Sequence, residues 1–183
     1  MTYKPRVLEV SSGGTGLSST TANQLLYSSA TSTIAGLATA NNGILVTSAT
    51  GVPSINATVT SWTPVITFGG ASVGITYNAQ QGGYYQIGQV FFFDCYVDIS
   101  NKGSSTGSAQ ITGLPAISPA RTTICVISAN SLTFVGQVNA RIPNGTSTIS
   151  LDVWPTTGSR TQLADTAFSN STYLQISGQV LLN

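Results

Sequence analysis

Between Gln89 and Ser100 apolar and polar side chains alternate along the chain. Phe91, Phe93, Cys95, Val97 and Ile99 fall on one side, and Asp94, Asp98 and Ser100 on the other. A period of two over this length predicts a half-buried β-strand, one face turned to a core and a partly polar face to water. Shorter runs rich in Val, Ile, Thr and aromatic residues predict further strands at 63–68, 73–78, 109–114, 122–128, 132–142, 146–153 and 173–182. Gly69-Gly70-Ala71-Ser72 separates the first two at hairpin-like spacing, and Ile142-Pro143-Asn144-Gly145 reads as a turn. No stretch keeps a convincing helical period. The chain is therefore expected to be all-β, with an antiparallel, jelly-roll-like β-sandwich over residues 59–183.

Upstream of Trp62 the texture differs. Leu25-Leu26-Tyr27-Ser28-Ser29-Ala30-Thr31 returns as Ile44-Leu45-Val46-Thr47-Ser48-Ala49-Thr50, nineteen residues later. Each copy is an apolar triplet followed by small residues, and Gly51-Val52-Pro53 marks a turn after the second. One such unit cannot bury its own apolar face, and two stacked copies still leave an open edge. The repeat thus predicts a short β-stalk over residues 13–58 that is closed by partner chains, three around an axis making a homotrimer. Read instead as a serine-rich linker with accidental self-similarity, the segment would have no use for Leu25-Leu26-Tyr27.

Charge changes the picture further. Charged residues make up 6% of the 183 positions, against roughly 25% in an average soluble domain. Between Glu9 and Asp94 there are none, so hydroxyls and amides must wet that surface. Disordered chains combine low hydrophobicity with high net charge. Here hydrophobic residues reach 41% and the net charge is +1. Little repulsion would keep copies apart, which favours β-structure in an obligate assembly.

The inventory of reactive groups is short. Without histidine there is no Ser-His-Asp or Cys-His pair, no imidazole ligand and no imidazole pH switch. Six scattered Lys and Arg residues make no stripe for a phosphate backbone, so no nucleic-acid partner is expected. No apolar run approaches the roughly 18 residues of a membrane span, so no membrane insertion is expected. The opening Met1-Thr2-Tyr3-Lys4-Pro5-Arg6 segment lacks the apolar region of a secretory signal. Asp94 and Asp98, four residues apart on one strand face, would lie about 13 Å apart. Glycosidases need carboxyls about 5 Å apart for retention or about 6.5–9.5 Å for inversion. The chain is expected not to be an enzyme and to hold no metal or cofactor. Cys95 and Cys125 read as buried free thiols, or as a disulfide between neighbouring strands. The functional hint lies in aromatic residues near strand ends and turns. Trp154, Tyr84 and Tyr85 are candidates for stacking on a receptor sugar, with core or inter-chain packing, as for Trp62, the competing role.

Gly13-Gly14-Thr15-Gly16-Leu17, Asn23-Gln24-Leu25-Leu26-Tyr27-Ser28 and Gly43-Ile44-Leu45-Val46 resemble a segment that recurs in tail-fibre proteins of tailed bacteriophages. Trp62-Thr63-Pro64-Val65, Phe68-Gly69-Gly70-Ala71-Ser72, Gly74-Ile75-Thr76-Tyr77 and Gly83-Tyr84-Tyr85-Gln86-Ile87-Gly88 resemble the start of a phage fibre C-terminal domain. Asn101-Lys102-Gly103 and Ile111-Thr112-Gly113-Leu114-Pro115 continue the likeness. The resemblance implies a homotrimeric virion fibre, assembled in the bacterial host cytoplasm. Residues 1–12, with Tyr3, Lys4 and Arg6, would anchor it to other virion proteins. The distal domain would bind a bacterial surface glycan or protein. The alternative is a structural fibre decorating the capsid or tail without binding a receptor.

Overall fold

Each copy of the repeated apolar triplet becomes the first strand of a two-stranded hairpin. In the computed structural model, β1 (Gln24–Ala30) pairs antiparallel with β2 (Thr33–Ala38), and β3 (Ile44–Thr47) with β4 (Pro53–Asn56). Gly51 turns the second hairpin with a left-handed φ of 80°, and its N–H donates to the Ser48 carbonyl at 2.9 Å. The structure describes residues 14–183 apart from 42, 49, 57, 58, 116 and 118. The expected anchoring arm, with Tyr3, Lys4 and Arg6, lies outside the described residues. Two units divide the chain between residues 58 and 59. No described residue of the first unit is buried. Leu25, Leu26, Ile44 and Leu45 are each between 44% and 54% exposed. A two-stranded hairpin alone is marginal in water, and burial within one copy adds little here.

The second unit is a ten-stranded antiparallel sheet curled around one core. Its strands are β5 (Thr60–Trp62), β6 (Val65–Phe68), β7 (Thr76–Ile87), β8 (Val90–Asn101), β9 (Ala109–Thr112), β10 (Thr123–Leu132), β11 (Gln137–Ile142), β12 (Ile149–Trp154), β13 (Thr161–Gln162) and β14 (Phe168–Leu181). They lie in the order β5-β7-β8-β14-β10-β11-β12-β9-β6, with β13 added to β12. The sheet turns at β10, which pairs with β11 through Thr123, Ile124 and Cys125 and with β14 from Val126 onward. Its two ends, β5 and β6, are neighbours in the chain. Side chains of β7 fasten that corner. Gln80 Nε2 donates to the Pro64 carbonyl at 2.7 Å, and the Ile66 N–H donates to the Tyr77 hydroxyl at 3.1 Å.

The alternation of β8 works as expected, since Phe91, Phe93, Cys95, Val97 and Ile99 are all buried. They meet Ile111 of β9, Ala140 and Ile142 of β11, Ile149 and Leu151 of β12, and Leu174, Ile176 and Val180 of β14 in one cluster. Phe68 packs edge-on against Phe168, ring centroids 4.9 Å apart. Trp62 folds over Gly82, where any Cβ would collide with the indole, and its Nε1 donates to the Asp94 carbonyl at 3.2 Å. Glycine is required at that position because another side chain fills the space.

Three strand expectations need correction. The hairpin expected between 63–68 and 73–78 does not form. Across Gly69-Gly70 a single bridge joins Phe68 to Ala71, and β6, Phe68 included, pairs with β9, which sets Ile66 beside Ile111 in the core. The strand expected at 73–78 starts at Thr76 and runs on to Ile87, through Gly82, over which Trp62 folds, and through Tyr84 and Tyr85. The run 132–142 is broken at 133–136, so Leu132 ends β10 and Gln137 starts β11.

A short 3-10 turn, Asp165–Ala167, leads into β14. The Asp165 carboxylate accepts from the Gly107 N–H at 2.8 Å and from Lys102 Nζ at 3.4 Å, and Lys102 also sits 5.3 Å from the Phe68 ring centroid. The Gly107 N–H, aided by Lys102, holds the Asp165 carboxyl below its ordinary 3.8 against the opposing effect of burial. A depressed folded-state pKa contributes stability above the unfolded value, and that contribution is lost as pH falls through the folded value. Asp165→Asn should therefore lower the urea midpoint at pH 7, with the gap to the wild type closing as pH drops below 3.8. A gap unchanged at pH 2 would contradict this assignment.

Candidate binding site

Pro155 ends β12 because proline has no N–H to continue a ladder, and it leaves Trp154 at the strand's tip. Along β12, Ile149, Leu151 and Val153 enter the core, while Ser150, Asp152 and Trp154 take the opposite face. Trp154 is 54% exposed. Gln137 of β11 lies opposite it in register, and Asp152 lies between Asn139 of β11 and Gln162 of β13. The segment 133–136, which leads into Gln137, carries exposed Phe134 and Val135. That segment passes the Trp154–Pro155 backbone at Gly136, whose φ is 116°. A Cβ there would collide with the Trp154 carbonyl, so glycine is what lets the two loops meet.

Beneath this tip sits an ionic cluster. Asp152 is fully buried; its Oδ2 accepts from Arg141 Nε and lies 3.7 Å from Arg160 Nε. Asp152 Oδ1 has no hydrogen-bond partner among the described residues. One carboxylate between two guanidiniums leaves one excess positive charge, and Arg160 is the more exposed of the two cations. The tip thus offers an aromatic face, amides and a guanidinium. It can stack on a flat apolar ring face and donate hydrogen bonds to hydroxyl or carboxylate oxygens.

The other two candidates are not part of it. Strand alternation sends Tyr84 and Tyr85 to opposite faces of β7. Tyr84 packs against the core and stacks on Phe91, centroids 5.2 Å apart. Tyr85 faces outward and stacks on Phe92 at 4.8 Å. Trp62 belongs to the core. Arg160, Gln137 and Phe134 were not among the residues expected at a site, and nothing in their spacing marks them. Only the fold sets Gln137 beside Trp154 and Arg160 beside Asp152.

Asp94 is exposed, and Asp98 is half-buried and accepts from Asn78 Nδ2 at 3.3 Å. Cys95 and Cys125 are buried and free, so the disulfide alternative is not realised. Burial pushes each thiol up to about 12. Among the described residues no group of three or more acidic, Cys or His side chains gathers as metal ligands, and no helix is long and apolar enough to cross a membrane.

No protein-family model and no curated protein sequence matches the chain. Among solved structures it is similar to the crystal structure of the Dettilon tailspike protein (gp208), with a TM-score of 0.58 and 22% identity. That match covers 69% of this chain and 24% of the tailspike, so the chain spans about a quarter of the tailspike's length. The likeness is one of fold.

Removing one partner of a buried ion pair strands the other, at a cost of about 3–5 kcal/mol. Asp152→Ala should lower unfolding free energy by that order, whereas Trp154→Ala should stay within about 0.5 kcal/mol of the wild type. Equal losses in the two variants would place the Trp154 indole in the core. Both thiols should resist iodoacetamide at pH 8 in the native protein and react on denaturation; rapid native labelling would contradict their burial.

Proposed function

We propose that the chain is a structural protein of a bacteriophage virion, a trimeric fibre whose second unit binds a bacterial surface glycan without cleaving it. The observation that carries the binding reading is the Trp154 tip, an exposed indole with Gln137 opposite it in register and the Asp152–Arg160 pair on the same strand face. Loops held by such a scaffold are where recognition residues concentrate. The fold shared with a tailspike protein supports placement in the phage particle. Three copies are favoured by the first unit, whose apolar triplets have no buried residue within one chain. Residues 1–12, with Tyr3, Lys4 and Arg6, would dock on another virion protein, and assembly would take place in the host cytoplasm.

Adsorption of the purified full chain to host cells tests this. Aromatic contacts contribute about 0.5–1.5 kcal/mol each, and linked sites on a trimer multiply the effect. Trp154→Ala should reduce adsorption by about tenfold or more while the protein remains folded. Adsorption equal to the wild type would remove the Trp154 tip from receptor binding. Failure of the wild type on every susceptible host would favour the decorating fibre.

A further inference from the structure

The outward face of β7, β8, β14 and β10 carries a cluster of exposed apolar side chains. In register, Tyr85, Phe92 and Gln179 form one row, and Gly83, Asp94, Ser177 and Val126 the next. Val126 is 73% exposed, Ile124 62% and Val59 65%. With the stacked Tyr85–Phe92 pair they line a groove of about 550 Å³ that Asp94, Ser177 and Gln179 also line. A solvent-facing sheet surface is ordinarily polar, and a contiguous apolar patch marks a contact surface. Asp94 lies within this groove, between Gly83 and Ser177 in register, and Arg121 lines an adjoining one of about 450 Å³ that shares Gln179. Among the described residues neither has an ion-pair partner.

We propose that a second copy of this chain seats on this face, in a cyclic arrangement that brings Arg121 of one copy to Asp94 of the next. Two observations choose a copy over a sugar or another protein. The face carries both a carboxylate and a guanidinium without an ion-pair partner among the described residues, so a copy can bring the complementary charge to each. Val59, which opens the second unit, lines the groove. The inference rests on the trimer reading at this point. Aliphatic Val59, Ile124 and Val126 offer a glycan no hydrogen bond.

Sedimentation equilibrium of the full chain tests the contact with Val126→Glu, Asp94→Arg, Arg121→Asp and the Asp94→Arg/Arg121→Asp double variant. All four alter exposed positions, and circular dichroism checks that each is folded. The wild type should be a trimer. Each single variant should raise the half-dissociation concentration by about tenfold or more, and the double variant should return to within about threefold of the wild type. A trimer unaffected by any of the four would overturn the proposal and leave the fibre reading standing on the first unit. A wild type monomeric at tens of micromolar would overturn both. A double variant no better than the singles would overturn the Arg121–Asp94 register. Loss of host adsorption by Val126→Glu with the trimer intact would make the face a receptor site and overturn the proposal.

Discussion

Three consecutive phenylalanines cannot share one face of a strand. Phe91 and Phe93 enter the core, so Phe92 must emerge on the outside. Antiparallel pairing carries that decision to the neighbouring strands. Opposite Phe93, β7 turns Tyr84 inward and so exposes Tyr85 beside Phe92. On the other side β14 sets Gly178 opposite Phe93, where a Cβ would lie 2.9 Å from the ring. The core and the outer aromatic groove are thus two faces of one register.

The two units solve the burial problem differently. The second encloses Ile, Leu, Val and Phe side chains within one curled sheet, and the corner between β5 and β6 is fastened by Gln80 and Tyr77. The first has two hairpins, too few strands to enclose anything. Its Leu25, Leu26, Ile44 and Leu45 remain in water in one copy. Apolar area left exposed forgoes about 25 cal/mol per Å², a loss that a second and third chain would recover. With no charged side chain between Glu9 and Asp94, electrostatic repulsion does little to oppose that association.

Period-two reading carried far where a strand has one buried face. The inward set of β8 and the strands at 109–114, 122–128, 146–153 and 173–182 were legible, because each puts alternate apolar residues into a core. It failed where a distant side chain overrides local signals. The strand expected to end at Asn78 continues to Ile87, and Trp62 fills the space over its Gly82. Gly69-Gly70 reads as a hairpin turn, yet the partner of β6 is forty residues on, in β9. At the candidate site Trp154 was legible as an aromatic beside a proline. Gln137 was not, since it meets Trp154 only through the pairing of β11 with β12. Tyr84 and Tyr85 were read as a pair, although adjacent strand residues cannot face the same way. The Phe91-Phe92-Phe93 run held the signal for the outer patch.

Burial of the first unit between copies of the chain is the central claim, and amide hydrogen exchange in the hairpins measures it directly. Peptides spanning 24–38 and 44–56 should be protected at high protein concentration and lose protection on dilution below the association range, while β8 and β14 stay protected. Protection of the hairpins that is the same at every concentration, or absent throughout, would contradict the account.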